Sequence, residues 1–391
     1  MAQSRWFMLG LLFFARTAMG LQFQTVGSIG PNLVGALGIE YAAVGALIGL
    51  YLLPGIFIAL PGGLLGERFG AKRVVVAGLA LMVVGGALMG MGASFTALAC
   101  GRVLSGTGAV LMNVLLTKMV ADWFAGREIA TAMAILVTSW PVGIALGLLG
   151  FAPLANWLGW QAVMHVAAYA SLPCLIAVAL VYRNPHGAGA AHRKFELKLS
   201  AGEWTLVSIA GLVWATYNVG YILLVSFLPA HLAGHGFGLT QANALVSWLG
   251  WCLIAFVPVG GYLADRLGRP DLVMVAGFVV AGAAAIVLAG SASTLPCFIA
   301  VAVAVGLPAG PIMTLPAVGL RPQNRATGMG IYFTWYYALM ASMPAVAGFA
   351  RDVTHDSGMP IYGAAVMMAA ALASLAAFRF FARRSGRSGF Y

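Results

Sequence analysis

GYLADRLGRPD, residues Gly261–Asp271, is the stretch from which the architecture follows. Its form returns as GLLGERFGAKR at Gly63–Arg73, 198 residues earlier and about half of the 391-residue chain away. A second echo places Arg127 and Arg325 at the same displacement, with TAMAI and TGMGI shortly after them. Two parallel halves related by an axis along the membrane normal produce such a pattern, and place a substrate site near mid-membrane where they meet. Around the repeats the chain is 62% hydrophobic and 8% charged with a mean hydropathy of +0.95. A soluble chain carries about a quarter charged residues, so this is a membrane protein.

Apolar runs predict twelve spanning helices, at about 7–33, 41–63, 74–94, 96–119, 129–150 and 161–182, then 204–229, 242–263, 272–291, 296–319, 327–350 and 360–381. The fold class is an all-α membrane protein of two pseudo-symmetric six-helix bundles. The bundles are expected at 1–182 and 203–391, joined by the basic connector 183–202 (RNPHGAGAAHRKFELKLSAG). The apolar character runs on well past Arg16 and many spans follow, which argues against a cleaved signal. Seventeen Lys and Arg residues lie in one set of alternate loops and tails, whereas the opposite set holds only Arg351. This asymmetry predicts cytoplasmic termini and connector, in a cell inner membrane. The formal charge of +11 is scattered singly between apolar runs, so no nucleic-acid surface is expected. Cys100, Cys174, Cys252 and Cys297 sit in apolar runs without metal-ligand spacing, and no metal, cofactor or enzyme constellation is expected. The chain is expected to act as a monomer.

The repeated loop resembles the cytoplasmic signature of the major facilitator superfamily. Gly261, Leu263, Ala264, Asp265, Arg266, Gly268 and Arg269 match the copy between the eighth and ninth helices; Gly63, Leu65, Glu67, Arg68, Gly70 and Arg73 match that between the second and third, with Glu67 in place of the usual Asp. The resemblance implies a gating role: glycines allow a tight turn and close helix approach, and the acid meets a helix N-terminus or a basic partner at the inner seam. Within that superfamily, Thr117–Gly143 (TKMVADWFAGREIATAMAILVTSWPVG) and Phe14–Gln24 (FARTAMGLQFQ) resemble the cyanate and nitroimidazole transporter group.

Charges inside the membrane carry the substrate argument. Arg16 lies about 15 Å into the first helix, and Arg102 about 10 Å below the outer end of the fourth. A central Arg costs about 2.5–3.5 kcal/mol even on a lenient scale, so both are expected to face an aqueous cavity and find partners. Guanidiniums there favour a small anion held by bidentate hydrogen bonds. Arg102 has a competing reading, because GRVLSGTGAV resembles the superfamily's fourth-helix motif, whose Arg often bonds helix backbone. All ten acidic residues map to loops or helix ends, which argues against an organic-cation substrate. His165 is expected to be the only spanning histidine.

The second half has Trp214 and Ala300 where the first has Arg16 and Arg102. It offers aromatic stripes instead: Trp214, Tyr217 and Tyr221 with Asn218 on the seventh helix, and Tyr332, Trp335 and Tyr336 on the eleventh. Such stripes serve packing more often than ligand binding. The candidate substrate residues are Arg16, Arg102, Gln22, Asn113, Trp214, Tyr217, Tyr332 and Tyr336, with Gln24, Thr138 and Ser139 as weaker polar positions. Pro54, Pro61, Pro141, Pro173, Pro258, Pro308, Pro311, Pro316 and Pro344 are expected to interrupt spans as hinges or static kinks. The expected activity is secondary or facilitative transport of a small anionic or polar solute, with a coupling proton as an option. An exporter of hydrophobic compounds and a substrate-sensing membrane protein are the alternatives.

Overall fold

A computed structural model describes residues 4–124, 128–185, 199–290, 295–321 and 324–384. Arg127, the connector over 186–198 and Arg387 lie outside the described residues. The chain divides into two compact units, Met1–His192 and Arg193–Tyr391. In the first, the order is α1 (Arg5–Ser28), α2 (Gly30–Leu37), α3 (Tyr41–Leu50), α4 (Gly55–Phe69), α5 (Ala71–Met91), α6 (Phe95–Trp123), α7 (Ile129–Leu158) and α8 (Trp160–Val181). In the second it is α9 (Ala201–Gly234), α10 (Leu239–Leu267), α11 (Pro270–Gly290), α12 (Leu295–Ala304), α13 (Ala309–Ile312), α14 (Leu315–Gly319), α15 (Arg325–Thr354) and α16 (Met359–Arg384).

Eleven helical segments among the described residues are long and apolar enough to cross a bilayer, and the 30-residue α15 accompanies them. Helices suit this chain because each satisfies its own backbone hydrogen bonds, which hydrocarbon cannot. Large apolar side chains such as Phe14, Phe57, Trp157 and Leu180 point outward, an arrangement stable in lipid and unfavourable in water.

Most prolines do not break their helices. Pro61, Pro141, Pro173, Pro258 and Pro344 lie inside continuous helices. The breaks come after Leu50, where residues 51–54 turn before Pro54, and after Ala304, where Pro308, Pro311 and Pro316 divide one span into α12, α13 and α14. Isolated missing N–H groups are absorbed inside α4, α7, α8, α10 and α15 but accompany a break at Pro54; three within nine residues divide α12 to α14.

Small residues set the helix separations. In the first unit α1 packs along α7 and α8, and α5 along α6 and α8. A Cβ on Gly143 would collide with the Thr17 carbonyl, and one on Gly20 with that of Trp140, so the α1 and α7 backbones touch. In the second unit α9 runs along α15 and α16. There Gly260 of α10 lies against the Leu307 carbonyl. Close backbone contact replaces the hydrophobic drive that is missing between helices in lipid.

The signature loops are correspondingly tight. Gly70, with φ +88°, ends α4 and starts α5, and Gly268, with φ +58°, caps α10 through its N–H to the Asp265 carbonyl. L side chains rarely adopt such φ values, so glycine eases both turns, most of all at +88°; the +58° of Gly268 is close to the +55° of Glu128 and His355. The close-approach role falls elsewhere than expected: a Cβ on Gly63 or Gly261 would meet open space, while their neighbours Gly62, Gly66 and Gly260 face Leu111, Leu115 and Leu307.

Candidate functional site

In the first unit, Arg16 and Asn113 are brought together. Arg16 leaves the middle of α1, donates from Nε to Asn113 Oδ1 on α6 (3.1 Å) and from one terminal nitrogen to the Leu136 carbonyl on α7 (2.8 Å). The guanidinium thus links three helices at half-depth, about 16 Å from the start of α1. Its orientation is fixed by charge-assisted bonds. Ser139 also donates to the Leu136 carbonyl, while Thr138 is half-buried and bonds its own helix. No sequence signal marks Leu136, since its contribution is a backbone oxygen.

Arg102 corrects the expectation of a second cavity-facing cation. It is completely buried. Its Nε donates to the Leu47 carbonyl (2.8 Å), and its terminal nitrogens to the carbonyls of Gln22 (3.0 Å) and Phe23 (3.1 Å) and to Thr25 Oγ1 (3.5 Å). The guanidinium carbon also lies 4.6 Å from the Tyr51 ring centroid and 5.8 Å from that of Phe23. The cation is spent tying α1 to the frayed end of α3, where the turn at 51–54 weakens the helix. Gln22 likewise faces inward: Nε2 donates to the Met82 carbonyl (2.8 Å), and the side chain packs against Gly86 of α5.

In the second unit the four aromatic candidates form one cluster. The Trp214 ring lies 5.7 Å from Tyr217, 6.4 Å from Tyr332 in a stacked arrangement, and 6.3 Å from Tyr336. Tyr217 donates its hydroxyl to the Val305 carbonyl at the break after α12 (2.7 Å), and Tyr332 reaches Met313 Sδ (3.5 Å). Trp335 turns outward and is exposed.

The signature acids Glu67 and Asp265 are exposed near the C-terminal ends of α4 and α10, as are Arg68, Arg73, Arg266 and Arg269 around the turns that follow. Within their own units, neither acid makes an ion pair among the described residues. Arg266 instead reaches the Tyr262 hydroxyl of its own helix (3.2 Å).

Two features escape sequence reasoning. Glu203, in the first turn of α9, is fully buried; it accepts from the Arg321 backbone (3.0 Å), from Arg321 Nε (3.1 Å) and from Asn324 Nδ2 (3.0 Å). The carboxylate raises the Arg321 guanidinium pKa by hydrogen bonding and by charge. The helix start was legible as the Ser200-x-x-Glu203 capping box; the distant Arg321 was not. His231 is the other: it lies inside α9, fully buried, with ring nitrogens 2.9 Å from Ser357 Oγ and 3.1 Å from the Leu288 carbonyl. Both His165 and His231 thus lie within long helices, His231 in the last turn of α9.

A chain of two units built from membrane-length helices has the architecture of multi-pass carriers of small solutes. Residues 12–345 match the Major Facilitator Superfamily, and the chain belongs to it. An uncharacterized transporter of Bacillus subtilis is 26% identical over 379 residues, 95% of this chain and 91% of that one. The 3-(3-hydroxy-phenyl)propionate transporter of Escherichia coli is 28% identical over 275 residues, 67% of this chain and 65% of that one. Among solved structures, a D-xylose-proton symporter superposes with a TM-score of 0.76 at 15% identity, covering 95% of this chain and 97% of that one. At that identity the likeness is one of fold alone. The protein is accordingly a membrane transporter of the major facilitator type, with a small molecule as substrate.

Proposed function

We propose that the protein carries a small anionic solute, of cyanate, nitrate or carboxylate type, across the inner membrane by alternating access. Arg16 is its principal anion ligand and Asn113 its positioning partner. One observation carries this reading: a guanidinium held at half-depth by Asn113 and the Leu136 carbonyl, in a chain whose ten acids all stand in loops or at helix ends. A mid-membrane Arg is costly, and an anion bound there offsets the cost while neutralising the site for closure. The hydroxyphenylpropionate carrier among the relatives supports an anionic cargo. The likeness of Thr117–Gly143 to the cyanate and nitroimidazole group supports a small one. Arg102 is left out, because its donors are committed to backbone. Glu67 and Asp265, with the neighbouring arginines, act as gating charges at the inner ends of their helices, and a proton is a candidate coupling ion. The basic loops support cytoplasmic termini.

The test is uptake into proteoliposomes of cyanate, nitrate, small carboxylates and neutral nitroimidazoles, with and without a pH gradient. Wild-type protein moves at least one of the anions, and Arg16→Gln reduces that flux tenfold or more. Flux of cations alone would end the anion reading. The aromatic cluster favours a second reading, export of hydrophobic compounds; on that reading Arg16→Gln leaves export of neutral compounds intact.

A further inference from the structure

Helix α16 closes the second unit with charge laid beside an apolar surface. Leu375, Phe378 and Ala382 are buried, whereas Val366, Ala369, Ala373, Ala376 and Phe380 are exposed at steps of three and four and carry no polar side-chain group. From Ala369 to Phe380 is about 16 Å of helix, the depth of one leaflet of a hydrocarbon core about 30 Å thick. An exposed apolar face of that length is stable only against lipid. The next steps of three and four along it reach Arg383 and Arg384, both exposed and neither in an ion pair among the described residues. Arg384 folds back: its guanidinium carbon lies 4.3 Å from the centroid of the Phe380 ring, which is itself 50% exposed. That contact keeps the cation on the lipid side, where hydrocarbon gives way to headgroups.

The neighbouring acid offers no competition. Arg379, one turn before Arg383, donates from Nε to Asp271 Oδ1 at the start of α11 (2.9 Å), so this carboxylate is neutralised while it ties the two helices together. Arg269, just ahead of α11, is exposed as well. Over residues 265–271 and 379–384, five arginines face two carboxylates, a surplus of three positive charges. A second copy of this chain would bring the same surplus and be repelled.

We propose that Arg383 and Arg384 hold the phosphate of an anionic phospholipid whose acyl chain lies along Phe380, Ala376, Ala373 and Ala369. Each end of that molecule meets its match. A guanidinium bonds phosphate oxygens through paired N–H donors, and the chain covers apolar surface that water cannot. A zwitterionic lipid carries its own cation, which the surplus charge disfavours, so the headgroup selected has a net negative charge. Transport chemistry at Arg16 plays no part in it.

The full chain, purified in neutral detergent and stripped of lipid, is titrated with phosphatidylglycerol, phosphatidylcholine or inorganic phosphate and read by native mass spectrometry and thermal midpoint. Wild-type protein retains phosphatidylglycerol tenfold or more better than phosphatidylcholine, and its midpoint rises with the former; inorganic phosphate does neither. Joint Arg383→Gln and Arg384→Gln substitution brings phosphatidylglycerol to the phosphatidylcholine level and leaves the lipid-free midpoint unchanged. Arg183→Gln removes an exposed arginine from the first unit and keeps the preference. Equal retention of the two lipids by wild-type protein overturns the proposal without recourse to any variant. So does equal loss of preference in Arg183→Gln, the mark of diffuse charge attraction. A midpoint raised as much by inorganic phosphate, or a dimer mass that the double substitution abolishes, assigns the patch to a free anion or to a second copy and overturns it too.

Discussion

Arg102 and Arg16 look alike in sequence, each a lone cation in a long apolar run, yet they meet opposite surroundings. Arg102 bonds three carbonyls and a hydroxyl in a site without solvent, and removing it strands buried acceptors on α1 and α3. Arg102→Gln is therefore expected to cost about 3 kcal/mol or more, read as a fall in the thermal midpoint of the purified protein in detergent. A wild-type midpoint in that variant would mean the bonds contribute nothing. Arg16→Gln gives the complementary result: its site is half-buried, so stability falls less than in Arg102→Gln while anion uptake falls. The burial cost of an arginine was legible in the sequence. What pays that cost was not, because most of the partners are backbone oxygens on helices 55 to 120 residues away.

At the level of helices, the α1 and α7 crossing is set by glycine. Gly20 and Gly143 leave no room for a methyl group against the Trp140 and Thr17 carbonyls, so Gly143→Ala forces the helices apart. The expected cost is about 1–3 kcal/mol, measured as lost thermal stability, with Gly63→Ala as a control that meets open space and leaves it unchanged. Because Arg16 is aimed at α7, the same shift lengthens its bond to the Leu136 carbonyl and lowers anion uptake in whatever protein folds. The helix count was readable from hydropathy. The seam glycines were not distinguishable among 51, since a close approach depends on which helix lies opposite. Proline shows the same limit: one type of residue is absorbed in α7 and α10 yet breaks α12 from α13.

Across the whole molecule the two units repeat a device with the charges exchanged. Arg5, at the start of α1, pairs with Glu128 before α7 (2.7 Å); Glu203, 198 residues after Arg5 and at the start of α9, pairs with Arg321 before α15 (3.0 Å). Each unit thus ties its first helix to the entry of its fifth. Burial distinguishes them: both partners of the first pair are partly exposed, whereas Glu203 is sealed. Exposed pairs contribute little, and a buried carboxylate with several donors contributes much more when its loss leaves them unmade. Glu203→Gln is expected to lower the thermal midpoint further than Glu128→Gln, and to do so at high salt as well as low, because sealed charges escape screening. Equal, salt-sensitive shifts would place both pairs among ordinary surface contacts.

By itself, the sequence determined the membrane environment, the helical class, the near-repeat of 198 residues and the family, because apolar content, helix length and a turn-forming motif are local properties that any reading can sum. Only the tertiary structure decided which arginine is structural, which carbonyls receive each guanidinium, that Glu203 is sealed by Arg321 and Asn324, and that the Trp214 indole and the Tyr221 hydroxyl stay unpartnered on α9. Those outcomes depend on what lies across a helix interface, and in a chain where nearly every helix is apolar all round, no periodicity announces which face will meet which neighbour.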